Sequence, residues 1–308
     1  MTQLSEAQNR PHIALIGLGL IGSSLGHAFQ EKGLSSHITG YARSAQTREK
    51  ALEIGFVDSI AETPAQAVAQ ADIVFLNVPI GAIDAVMKEL APGLKAGAIV
   101  TDVGSVKRSV IDAVMSHLPE NAHLVPGHPI AGTEHSGPES GFATLFENRW
   151  CILTPEDNTD VEAVAHIQYL WEAIGSQVEI MDPDHHDLVL AITSHVPHLI
   201  AFNIVGTAAD LEAVTQSEVI KYSAGGFRDF TRIAASDPVM WRDVFLNNGD
   251  AVLEMLGRFS EDLTALQRAI RWKDGDALES LFTRTRQIRR DIIEAGQETD
   301  QTNFGRKK

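Results

Sequence analysis

Three glycines near the start of this 308-residue chain are spaced for phosphate chemistry: Gly17-Leu18-Gly19-Leu20-Ile21-Gly22 reads GxGxxG. Alone that spacing says little. Here it follows the apolar run His12–Ile16 and opens a helical stretch to Lys32, the context in which it signals a dinucleotide site. The first glycine makes the turn, the second lets a pyrophosphate approach the backbone, and the third lets helix and strand pack closely. The helix N-terminus then faces the phosphates with free N–H groups and the positive end of its dipole. An acid about 20 residues onward usually grips the ribose 2′-hydroxyl of NAD+. The next strand instead ends Tyr41-Ala42-Arg43-Ser44, with no acid before Glu49. Arg43 and Ser44 suit a 2′-phosphate, a mild lean toward NADP+; Arg43 stacked on adenine or solvated fits the same residues.

Further reactive residues fall at the ends of other strand-like runs: Asn77-Val78-Pro79, Gly104-Ser105 and Gly127-His128-Pro129. Open α/β sheets gather their ligands at the carboxyl ends of strands, so these join the glycine loop on one edge. Ser105 also reads as a helix N-cap, and Lys107 as a solvated first-turn residue. His128, between glycine and proline, is expected in a rigid loop rather than on an apolar core face. Beside a nicotinamide, its imidazole is suited to take a hydroxyl proton as hydride leaves. Downstream, His195 and His198 in Ser194-His195-Val196-Pro197-His198 share a helix face, and Pro197 predicts a kink by removing the bond to the Thr193 carbonyl. No third ligand at metal spacing accompanies them, so no metal is expected. After a glycine hinge at Gly225-Gly226, Arg228 and Arg232 lie four apart and suit capture of a carboxylate. Arg228 fits equally a surface ion pair with Asp229 or Asp237.

The elements that must position these groups alternate from Pro11 to Asp182. Strands are expected at His12–Ile16, His37–Tyr41, Asp72–Val78, Gly97–Asp102, His123–Val125, Cys151–Thr154 and Gln177–Met181, with a short one at Phe56–Val57. Helices are expected at Ile21–Lys32, Ala45–Ile54, Ile83–Leu90, Lys107–His117 and Val161–Ile174. The pattern is that of an α/β class, a Rossmann-like doubly wound, mostly parallel sheet over residues 11–182. At Asp182-Pro183-Asp184 a capping acid, a proline and a further acid start a helix, and no strong strand candidate follows. An all-helical domain is therefore expected over 183–296, with loose tails at 1–10 and 297–308. Val252, Leu256, Phe259, Leu263, Leu266 and Ile270 make an apolar seam, for packing within the chain or between subunits.

Composition narrows the function. Hydrophobic residues at 44% and charged residues at 21% are those of a globular chain. A formal charge of -16 disfavours nucleic acid or an anionic membrane as partner. Cys151 is the single cysteine, the N-terminus lacks a signal-peptide pattern, and Leu188–Gly206 carries too many polar residues for a span. A cytoplasmic location is expected.

The motifs GLGLIGSSLG, DVGSVK, GHPIAGTEHSG, SHVPH and GGFRDFTRIAASDPVMW, in that order from about Ile13 to Ile293, resemble the prephenate/arogenate (cyclohexadienyl) dehydrogenases of tyrosine biosynthesis. The resemblance implies oxidative decarboxylation of prephenate to 4-hydroxyphenylpyruvate, or of arogenate to tyrosine, with NAD+ or NADP+. By the same resemblance, His128 accepts the 4-hydroxyl proton and Ser105 hydrogen-bonds there and orients the nicotinamide. His198 lies near the side-chain carboxylate, Arg232 holds the ring carboxylate, Gly225 and Trp241 line the pocket with His195 nearby, and the helical domain makes a homodimer. The cofactor contacts are then Gly17, Leu18, Gly19, Leu20, Ile21, Gly22, Arg43, Ser44, Val78, Pro79 and Gly104. The segment Ala42-Arg43-Ser44 lacks the acid that many NAD-using members carry, which touches cofactor choice, not reaction class. Neither a fused mutase nor a regulatory amino-acid-binding domain is expected in the remaining length. A β-hydroxyacid or imino-acid dehydrogenase fits less well, because no lysine sits in the required helix context. A non-catalytic dinucleotide sensor lacks a basic partner surface.

Overall fold

The computed structural model describes residues 10–133, 135–210, 218, 221, 222 and 225–294. The tails expected at 1–10 and 297–308 lie outside these residues, apart from Arg10. Two compact units emerge, Met1–Val252 and Leu253–Lys308.

In the first unit β1 (His12–Ile16) leads through the glycine loop to α1 (Leu20–Lys32), then β2 (His37–Tyr41), α2 (Ala45–Ile54), β3 (Ser59–Ile60), α3 (Pro64–Val68), β4 (Ile73–Leu76), α4 (Ile83–Leu90), β5 (Ile99–Asp102), α5 (Arg108–Met115) and β6 (His123–Leu124). These six strands form one parallel sheet in the order β3-β2-β1-β4-β5-β6. The alternation of β1 shows why both faces must be covered. Ile13 and Leu15 enter the core under α1, with Phe29, Phe75 and Trp171, whereas Ala14 and Ile16 enter the opposite core with Met87, Leu90 and Val110.

A second sheet departs from the single sheet expected. β7 (Gly127–Pro129) pairs antiparallel with β8 (Trp150–Leu153), and β8 pairs parallel with β9 (Gln177–Ile180) across α6 (Val161–Ala173). Phe56 and Val57 are core residues but not a strand; the pairing is made by Ser59 and Ile60. The short helix α3 was not expected from the sequence; Thr63 caps it, accepting a bond from the Gln66 amide.

Among the described residues, every regular element after Ile180 is helical: α7 (Pro183–Leu190), a π-turn at Ala191–His195, α8 (Val196–Ala209), α9 (Gly225–Thr231), a 3-10 turn at Arg232–Ala235, α10 (Pro238–Asn247), α11 (Gly249–Trp272) and α12 (Gly275–Glu294). Asp182 caps α7 through the His185 amide, with Pro183 at the first position, as its sequence requires. The irregularity expected at Pro197 falls just upstream of it, as a π-turn over Ala191–His195. The run Pro183–Ala209 is long and apolar enough for a membrane by length and composition, with mean hydropathy 1.7. His186, Asp187 and His195 within it are nevertheless buried in hydrogen bonds to the rest of the unit. In the second unit the seam on α11 leaves Leu263 and Ile270 exposed on the single chain, as are Phe282 and Ile288 of α12.

Candidate active site

At the carboxyl edge of the sheet, Gly17 takes φ +101°, and its amide donates to the Tyr41 carbonyl at 2.8 Å. A Cβ there would overlap the Asn77 carbonyl, and one on Gly22 would overlap the Gly17 carbonyl. Gly19 is the opposite case: a Cβ would meet nothing within 4 Å. The loop is thus closed on itself at two glycines and open at the middle one. Gly19 is also the N-cap of α1, without a side-chain cap and with no acid in the first turn. Uncapped amides, open space and the positive dipole end suit the pyrophosphate of a dinucleotide. Leu18 is buried, Leu20 and Ile21 pack on the core, and Val78 and Pro79 form the neighbouring loop after β4. Arg43 and Ser44 are exposed at the end of β2, where Ser44 caps α2 and no carboxylate follows the strand.

The Gly104-Ser105 segment is held by a buried ion pair. Asp102, the last residue of β5, accepts the Gly104 amide at 2.7 Å and the Gly127 amide at 3.1 Å. Lys107, expected to be solvated, is instead 0% exposed; its ammonium reaches Asp102 and the Gly127 carbonyl. A charge buried so deeply is tolerated because a counter-charge and a carbonyl face it. Ser105 is not the helix cap either. The first amides of α5, on Lys107 and Arg108, donate to the two oxygens of Asp187 at 2.8 and 2.9 Å. A carboxylate from α7 caps the helix, which leaves the half-buried Ser105 side chain free of that duty.

His128 differs from the loop residue expected. It lies in β7, 8% exposed, and its Nδ1 is 2.8 Å from Nε2 of His186. His186 in turn sets its Nδ1 2.8 Å from Asp187. Burial pushes the His128 pKa well below the ordinary histidine range, with His186, Lys107 and His195 acting in the same direction. Burial also lowers His186, against the opposing bond to Asp187. The Asp187 carboxyl is held below its usual range by the His186 bond and the two α5 amides, which outweigh its own burial. Both imidazoles are neutral near neutral pH, and His128 Nε2 is the nitrogen left for a ligand.

The helical residues meet this group from the other side. His195 is fully buried; Asn248 donates to its Nδ1 at 3.0 Å and to the Asp187 carbonyl at 2.9 Å. That leaves the proton of neutral His195 on Nε2, which faces the Ser105 backbone without completing a well-formed hydrogen bond. Burial takes its pKa down to about 4. Trp241 packs with Val106 and Val244 and is stacked by His198, ring centres 3.7 Å apart. His198 Nδ1 is tied to the Ser194 carbonyl at 2.8 Å, burial lowers its pKa, and the Arg232 charge lowers it further. Arg232 and Gly225 are exposed. Arg228 forms an exposed pair with Asp229 at 3.1 Å, whereas Asp237 is used as the α10 cap.

Hydrogen bonds and ring contacts thus link His128 through His186, Asp187 and Asn248 to His195, and on to Trp241 and His198, with Ser105 next to the Trp241-packed Val106; Arg232 acts on His198 through its charge. Four residues of this edge escaped the sequence reading, Asp102, His186, Asp187 and Asn248, and a fifth, Lys107, was misread as solvated. His186-Asp187 sits in a run of acids and histidines that reads as a helix start, and no local signal says that it faces His128. Among the described residues, no cluster of three His, Cys, Asp or Glu side chains is arranged for a metal.

Residues 25–180 match the family model described as prephenate dehydrogenase, nucleotide-binding domain, and residues 182–284 match prephenate dehydrogenase, dimerization domain. The cyclohexadienyl dehydrogenase of Zymomonas mobilis is 43% identical over 278 residues, 90% of this chain and 94% of that protein. The crystal structure of Aquifex aeolicus prephenate dehydrogenase with hydroxyphenyl propionate and NAD+ is 34% identical with a TM-score of 0.85, covering 91% of this chain and 98% of that one. Synechocystis arogenate dehydrogenase is 29% identical with a TM-score of 0.77, covering 91% and 99%.

Proposed function

The chain belongs to the prephenate dehydrogenase family, and from that premise we propose that it carries out NAD(P)-dependent oxidative decarboxylation of prephenate, of arogenate, or of both. The observation that carries this reading is the position of His128: a buried imidazole, neutral near pH 7, with one nitrogen tied back into the protein and the other left for a substrate hydroxyl. A bound nicotinamide dinucleotide supplies the acceptor for the hydride leaving the substrate ring. Gly17, Gly19 and Gly22 with the α1 amides would hold its pyrophosphate, Val78, Pro79 and Gly104 would line its path, and Arg43 and Ser44 would meet the adenosine ribose. Their chemistry, with no acid after β2, favours NADP+ mildly, while the Aquifex relative was crystallised with NAD+.

His128 Nε2 takes the hydroxyl proton as the ring carbon is oxidised, and Ser105 donates or accepts at the same oxygen. The new carbonyl draws electrons across the ring, so loss of CO2 yields an aromatic phenol without a strong base. Arg232 holds the ring carboxylate, and His195, His198, Gly225 and Trp241 bound the remainder of the pocket. Residues 11–182 serve as the nucleotide domain and 183–296 as the substrate and dimerisation domain. The exposed apolar residues of α11 and α12 support a homodimer, the acidic balance disfavours nucleic acid and an anionic membrane as partners, and the single cysteine is in keeping with a cytoplasmic enzyme. Initial rates at 340 nm with prephenate and arogenate, each with NAD+ and NADP+, test the reading. Reduced cofactor forming with neither substrate refutes it, and the four rates rank substrate and cofactor.

A further inference from the structure

His186 and Asp187 stand behind His128, outside the substrate and cofactor roles assigned above. Asp187 has three donors around it. The backbone amides of Lys107 and Arg108 point at Oδ1 and Oδ2, and His186 Nδ1 is 2.8 Å from Oδ1. An amide N–H can only donate, so both oxygens of Asp187 must accept. His186 Nδ1 then carries a proton. In a neutral imidazole this leaves Nε2 bare, and a bare Nε2 at 2.8 Å from His128 Nδ1 must receive that ring's proton. His128 is left with its lone pair on Nε2. Two backbone amides at the N-terminus of α5, which cannot exchange roles, thereby dictate the protonation of an imidazole two side chains away.

We propose that His186 and Asp187 are positioning residues that lock His128 in its Nδ1–H tautomer and share the charge it gains from the substrate. The proposal rests on His128 being the proton acceptor. In the step, the substrate O–H bond breaks, an Nε2–H bond forms, and the electron pair stays on oxygen as the carbonyl develops while the nicotinamide takes the hydride. His128 becomes an imidazolium in a dry site. Lys107 of the segment before α5 opposes that charge, and the neutral rings of His186 on α7 and His195 in the π-turn do not offset it. Asp187, fixed as an anion by the α5 amides, is joined to His128 by unbroken hydrogen bonds through His186. A second anchor keeps it there: Asn248 donates to the Asp187 carbonyl.

The test reads tautomers directly. In the full chain labelled with 15N-histidine, long-range proton–nitrogen correlation at pH 8 is expected to show His128 with a protonated Nδ1 and a bare Nε2. His186→Leu removes the acceptor; Nε2–H then becomes populated, kcat/KM falls on the order of 10²-fold, and the acid limb of kcat moves down in pH. His186→Gln, whose amide oxygen can accept from Nδ1, is expected to regain the tautomer and most of the rate. A wild-type His128 protonated on Nε2 overturns the proposal even if the leucine variant does not fold. So does a folded leucine variant with an unmoved tautomer and acid limb. Full turnover by His128→Asn would instead sink the reaction assignment and leave the tautomer measurement standing.

Discussion

Replacing Lys107 by Met is expected to cost the first unit heavily, because the change removes one member of a buried pair and leaves the other. Lys107 and Asp102 are both 0% exposed. Methionine fills the same space, so cavity formation contributes little and the loss is electrostatic. Asp102 keeps the Gly104 and Gly127 amides but loses the Lys107 cation, and the Gly127 carbonyl loses the Lys107 donor. Breaking a buried pair from one side costs about 3–5 kcal/mol. For a unit of this size each kcal/mol moves Tm by about 2–4 °C, so the expected fall is about 6–20 °C. Thermal unfolding of parent, Lys107→Met, Asp102→Asn and the double variant measures it. The double variant is expected to lose less than the sum of the single changes, since it no longer buries a lone charge. A Tm for Lys107→Met within about 2 °C of the parent, on the same scale, would refute the reasoning. The ion pair would then not be a buried, charged contact in solution.

Three more outcomes follow from the same edge. His128→Asn is expected to lower kcat by about 10²–10⁴ while leaving cofactor affinity nearly intact; an unchanged kcat removes it as proton acceptor. Arg232→Ala is expected to raise the substrate KM with a smaller change in kcat, because a carboxylate contact persists until CO2 departs, and a normal KM contradicts that role. Acid is expected to destabilise the first unit from about pH 6.5 downward. His128, His186 and His195 have folded pKa values below the unfolded one, His195 at about 4, so the unfolded chain binds protons that the folded chain does not. Each such imidazole contributes a slope of about 1.4 kcal/mol per pH unit over its interval. Urea unfolding between pH 7 and pH 5 checks this, and a flat profile contradicts it.

Much of the molecule was legible in order of sequence. The β1 and β2 limits, the glycine loop, the Asp182-Pro183 helix start and the helical character after it are local facts. Apolar periodicity reports which face is buried, and caps and glycines report where an element begins or turns. Site residues that announce themselves by type, such as His128 and His198, could also be singled out. What periodicity does not report is the partner across the fold. The sequence let Ser105 be a cap and Lys107 a solvated side chain, because a serine and a lysine before a helix are compatible with both. The cap in fact comes from Asp187, 80 residues along the chain from Lys107. Likewise His128, read as a loop residue, pairs with β8 and is buried against His186 only once α7 docks on that edge. The amino-acid order alone determined the elements, the class of fold and the residue types available for chemistry. Tertiary packing decided which charge is neutralised, which helix end is capped and which imidazole nitrogen is bare. Those are set by donors and acceptors meeting in a space from which water has been excluded.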